Sequence, residues 1–217
     1  MTALSLLQGR ARRAGYQRQP GAPRPLLDYR LLVTSVCVFV GSRPGADVAY
    51  AAAVHELGRE LGRRRLGVIY GGGRAGLMGV LADAALATGA EVTGVIPQAL
   101  VDREVAHPAL SALEVVGSLH ERKAAMAAHA DAFIGAPGGI GTLEELIEVL
   151  SWRQLGLHDK PCGLLNVNGY FDRLLAWFEH AVGEGFVAAA DRRLLTVATA
   201  PDDLLDRLGA GQESESS

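Results

Sequence analysis

Short β-branched or apolar runs alternate with longer Ala- and Leu-rich segments along most of this chain, and the runs end in glycine or polar residues. SVCVFV (35–40) precedes a helical pattern near 46–65, GVIY (67–70) one from about 75, and LEVV (113–116) one from about 118. AFIGA (132–136) precedes one from about 142 and CGLLN (162–166) one near 170–183; EVTGVI (91–96) is a further run, and a last short pair ends by Leu208. A parallel crossover needs a dozen or more residues, so this alternation predicts a mostly parallel sheet covered by helices on both faces, an α/β doubly wound architecture. The 217 residues suit one large domain at 31–208, and the 6% aromatic content fits helices packed closely on strands.

In open parallel sheets, ligands sit at the carboxyl ends of strands near a switch in strand order. Three such ends are rich in glycine: Gly41-Ser42-Arg43-Pro44-Gly45, Gly71-Gly72-Gly73-Arg74-Ala75-Gly76, and Pro137-Gly138-Gly139-Ile140-Gly141-Thr142. Glycine lets backbone N–H groups approach an anion, and the following helix N-terminus adds partial positive charge. Any one loop is explained equally well as a tight turn, but three in one sheet point to a phosphate cradle. The bare Gly71-x-Gly73-x-x-Gly76 match is a weak dinucleotide signal. Its only acidic partner, Glu91, starts a strand at the wrong end to reach a ribose.

Thr142-Leu143-Glu144-Glu145 opens the helix after the third loop, with Leu143, Leu146, Ile147 and Leu150 expected as the buried stripe and Glu145 pointing away from it. Thr142 and Glu145 have capping-box spacing, so a structural role competes with stabilisation of a cationic sugar. His120-Glu121-Arg122-Lys123 reads either as a solvated face or as an anion grip by Arg122, with Met126 one turn on as a soft contact for a flat base.

Other classes lose support on specific grounds. Residues 1–30 hold six Arg against one Asp and are expected to form a flexible basic arm, leaving the rest of the chain at −8 of the total −3. Residues 209–217 read as a disordered acidic tail. No Lys/Arg-dense face suggests nucleic acid, no Walker A loop suggests NTP hydrolysis, and no His spacing suggests a metal. The longest apolar run is too short for a membrane span, no secretory signal is expected, and Cys37 and Cys162 within apolar runs suit a reducing cytoplasm.

GGGRAGLMG (71–79), HERKAAM (120–126) and PGGIGTLEE (137–145), with the flanking VCVFVGSRPG, GVIPQALVDREVAH, SWRQLGLHDKP and GLLNVNGYFD, closely resemble the Lonely Guy family of cytokinin-activating phosphoribohydrolases, often labelled lysine decarboxylases. The resemblance runs from about Val36 to about Leu208. It implies a Rossmann-like homodimer, needing no cofactor, that hydrolyses N6-substituted adenosine 5′-monophosphates to the free base and ribose 5-phosphate. It implies Arg122 and Glu145 as the catalytic pair. Glu104, Lys123, Ser151 and the stretch Gly139, Ile140, Gly141, Thr142, Leu143 and Glu144 are the implied substrate contacts, beside Ser42, Gly72, Gly73, Gly138 and Met126. Arg43, Ala75 and Ser151 depart from the common residues, and Ser151 keeps the usual hydroxyl. A non-catalytic carrier of a phosphorylated cofactor is the alternative reading. A decarboxylase would need a Schiff-base lysine, and Lys123 and Lys160 are the only two in the chain.

Overall fold

In a computed structural model, residues 33–101 and 106–211 are described. The expected basic arm, Glu104, and the end of the expected tail lie outside them. Seven parallel strands form one sheet: β1 (Ser35–Phe39), β2 (Gly67–Tyr70), β3 (Val92–Pro97), β4 (Ala112–Val116), β5 (Ala132–Gly135), β6 (Cys162–Leu165) and β7 (Leu195–Ala198). Their order is β4-β3-β2-β1-β5-β6-β7, so the winding reverses between β1 and β5. That reversal is the switch point, and it fixes where a ligand site belongs.

The strand period of two sorts each strand between two cores. Val36, Val38 and Val40 face one, shared with α1 (Val48–Arg63), α2 (Gly76–Ala87) and, near the end of the chain, the helix Pro201–Arg207. Cys37 and Phe39 face the other, shared with α4 (Leu119–His129), α5 (Ile140–Gln154) and α6 (Asp172–Gly183), after the short α3 (Gln98–Val101). Both cysteines are free and buried, as small hydrophobes.

Helix starts follow local chemistry. Asp47 caps α1, its carboxylate accepting from Ala49 N–H at 2.9 Å, so the helix begins two residues later than the pattern suggests. Ser118 caps α4, accepting from Glu121 N–H, while Glu121 reaches back to Gly117 N–H. The third loop behaves differently: α5 begins at Ile140 with Gly139 as its cap, and no side chain caps it. Thr142 is therefore inside the first turn, and the expected Thr142–Glu145 capping box does not form. Ala210, expected in the tail, is part of the fold: it is fully buried and bridges to Val33.

Candidate active site

The three glycine loops interlock at the carboxyl ends of β1, β2 and β5. Gly41 N–H donates to Pro137 O at 3.0 Å, joining the first loop to the third. Gly76, at φ +58°, packs against the first loop so closely that a Cβ there would stand 2.4 Å from the carbonyl carbon of Ser42. Above them opens a cavity of about 590 Å³, within the range of small-molecule sites. Its floor and rim include Ser42, Arg43, Gly138, Gly139, Ile140, Gly141, Thr142, Arg122 and Glu145. A Cβ at Gly139 or Gly141 would meet nothing within 4 Å, so these two backbones border open space at the start of α5. The uncapped first-turn N–H groups and the dipole of a 15-residue helix thus meet in the cavity.

Beside that helix end lies a buried ion pair. Arg122 Nη1 stands 2.9 Å from Glu145 Oε1, with side-chain exposures of 14% and 11%. Arg122 Nε also donates to Val95 O at 3.0 Å, tying the guanidinium to the end of β3. Gly71 provides its seat: a Cβ there would come within 2.2 Å of Arg122 Nη2. Removing one partner of a buried pair leaves the other charge unmatched, at a cost of about 3–5 kcal/mol. Cys37 is near enough to feel both charges. Burial pushes its thiol well up, Glu145 adds to that and Arg122 opposes it, so the group stays protonated and is no nucleophile.

The buried face of α5 is Thr142, Glu145, Leu146 and Val149. Glu145 therefore faces inward rather than away from the buried side, because the stripe is rotated from the one the leucines suggest. Leu143 is exposed and Ile147 and Leu150 are only partly covered. Arg122 is likewise no part of a solvated face.

Several expected contacts lie elsewhere. Met126 is completely buried in the core shared by α4 and α5 and does not line the cavity. Lys123 is held by Glu144 and, at 3.0 Å, by Glu148, forming a second clasp between α4 and α5. Ser151 and Leu143 are exposed, and neither lines the cavity. Gly72 and Gly73 are buried in pairing that supports the loop: Gly72 O accepts from His107 N–H at 3.0 Å and Gly73 bridges to Ala106. Neither lysine lines the cavity. Conversely, Tyr50, Leu77, Met78 and Tyr170 line it without having been singled out. Tyr50 and Tyr170 meet edge to face, with centroids 5.3 Å apart.

A family model described as "Possible lysine decarboxylase" matches residues 78–208. A cytokinin riboside 5′-monophosphate phosphoribohydrolase of Arabidopsis thaliana is 47% identical over 173 residues, spanning 80% of this chain and 81% of that protein. A second of the same name and organism is 46% identical over 175 residues, spanning 81% of this chain and 77% of its own. Among solved structures, a molybdenum cofactor binding protein from the phototrophic bacterium Rippkaea orientalis aligns with a TM-score of 0.61 at 19% identity, covering 82% of this chain and 96% of its own. The molybdenum cofactor carrier protein of Chlamydomonas reinhardtii gives 0.61 at 18%, covering 80% and 96%. At such identities the likeness is one of fold.

Proposed function

The chain belongs to the family of cytokinin riboside 5′-monophosphate phosphoribohydrolases, and we propose that it uses the cavity at the β1–β5 switch point to cleave the glycosidic bond of N6-substituted adenosine 5′-monophosphates. The observation that carries this is one cavity holding both an uncapped, glycine-lined helix N-terminus and a buried Arg–Glu pair. The first supplies donors for a 5′-phosphate; the second supplies a carboxylate where a sugar carbon becomes cationic.

In the reaction, the C1′–N9 bond breaks and its electron pair leaves with the purine. Water adds to C1′, and the proton it loses ends on the base. The N–H groups of Gly139, Gly141 and Thr142 anchor the phosphate, so its binding energy holds the reacting bond in place. Glu145 stabilises positive charge at C1′ and orients the water. Arg122, fixed by Val95 O and Gly71, positions the phosphoribose and favours negative charge on the departing base. The carboxylate favours turnover over carriage, since a carrier needs donors but no anionic group beside the sugar. The absence of lysine from the cavity lining argues against Schiff-base chemistry.

The resemblance also supports a homodimer, and the two free, buried thiols fit a reducing cytoplasm. The deciding assay measures free-base release from AMP, isopentenyladenosine monophosphate, CMP, GMP and adenosine. Release is expected from the adenosine monophosphates and not from adenosine. Comparable rates on adenosine and AMP would refute the phosphate-anchored reading.

A further inference from the structure

The β6 loop is built to present one hydroxyl to the phosphate cradle. After Leu165 the chain turns through Asn168 at φ +48° and Gly169 at φ +70°. Asn166 holds this turn from both sides, accepting from Phe171 N–H and donating to Asp172 Oδ1, each at 2.8 Å. Asn168 Nδ2 donates to Asp47 Oδ2 at 3.0 Å, which joins the turn to the cap of α1. A left-handed conformation at a residue other than glycine is uncommon and persists only where its surroundings hold it. The product of this arrangement is Tyr170, packed edge to face on Tyr50 and Phe171, with its hydroxyl donating to Gly138 O at 2.5 Å.

From this contact we infer that Tyr170 is a positioning residue for the anion site, clamping the Gly138–Gly139 peptide so that the Gly139 N–H keeps one direction. The inference rests on reading the cavity as a nucleoside monophosphate site. A trans peptide is planar, with C=O and N–H opposed, so holding the carbonyl oxygen also aims the amide hydrogen. A peptide flanked by two glycines is the least restrained the backbone offers, and it gains most from an outside clamp. The hydroxyl acts on the phosphate through the loop and takes no part in bond cleavage.

Tyr170→Phe keeps both ring contacts and removes only the hydroxyl of a residue that is 41% exposed, so the fold is retained. Calorimetric titration of AMP, ribose 5-phosphate and adenine into wild type and variant tests the clamp, alongside steady-state kinetics and thermal midpoints. We expect AMP and ribose 5-phosphate to bind about tenfold more weakly, the worth of one hydrogen bond, and KM to rise in parallel. Adenine affinity, kcat and the thermal midpoint are expected to stay within about twofold or a degree or two of wild type. Unchanged affinity for ribose 5-phosphate would overturn the clamp, as would an equal loss for adenine, which would place Tyr170 on the base. A wild-type protein that binds none of the three would instead overturn the site reading, and the inference with it.

Discussion

Burial decides what Arg122 and Glu145 do for each other. Each is almost covered, so each depends on the other's charge as well as on a hydrogen bond. Glu145→Gln keeps an amide oxygen facing Arg122 but deletes the negative charge. If the carboxylate stabilises a cationic sugar, turnover should fall by about 10²-fold or more while circular dichroism and AMP binding persist. Near-normal turnover would remove Glu145 from the chemistry and leave it a structural partner of Arg122. Another buried group sets an acid limit on the fold. His158 Nε2 faces Val149 O at 2.9 Å and its Nδ1 accepts from Lys160 N–H at 3.1 Å, an arrangement that suits the neutral ring. Burial holds its pKa below the ordinary 6.5, so between the two values the unfolded chain binds the extra proton. The stability contributed by the neutral ring is therefore full above about pH 6.5 and is lost as pH falls toward the folded value. Ring resonances of His158 followed by NMR should titrate below 6.5; a midpoint at or above it would contradict this.

α5 joins the stability of the fold to the needs of the site. Its first turn holds Gly141, whose added Cβ would meet nothing and whose φ is not positive. Gly141→Ala should leave stability unchanged or raise it by up to about 1 kcal/mol, read as an unchanged or higher thermal midpoint, because alanine is the better helix former. The same methyl would stand in the cavity, so AMP affinity should fall about tenfold, the equivalent of roughly 1.4 kcal/mol. Unchanged AMP binding would mean that no ligand approaches this turn. These loops are legible in the sequence because three glycine clusters end strands of one parallel sheet, although any one of them alone would suit a tight turn. The sequence misphased the helix behind the third loop, since four leucine-type residues suggested one stripe while Thr142 and Glu145 occupied the buried face. Leu143 at the surface and Glu145 inside reverse the usual partition, and the Arg122 partner from α4 helps make burial of the carboxylate tolerable. Met126 was lost for a related reason: one turn from Arg122 along α4 leads down into the core rather than out along the cavity. Tyr50 and Tyr170 were not singled out because their meeting depends on α1 and the β6 loop converging, a contact no local pattern encodes.

At the scale of the molecule, the 4-3-2-1-5-6-7 order brings residues more than ninety positions apart into one site, as Gly41 on Pro137 shows. The same winding leaves large apolar groups uncovered away from that site. Leu155 and Leu157 follow α5, Trp177 lies on α6 and Phe186 follows it, with exposures of 70%, 40%, 55% and 87%. Gln154 Nε2 donates to Asp191 Oδ2, and Arg153 Nη1 to Leu194 O, which brings the end of α5 beside the segment following Phe186. Apolar side chains this exposed make the face a candidate contact surface. If the homodimer that the resemblance implies uses this face, substitutions here should break it. Sedimentation should give twice the 22.8 kDa chain mass, and the double variant Trp177→Asp, Phe186→Asp should sediment as a folded monomer. Because both side chains lie outside the cavity lining, the variant's own AMP affinity then measures whether each protomer completes its site alone. A wild-type protein that is monomeric at assay concentrations would refute the dimer. A dimer indifferent to the double substitution would place its interface on another face.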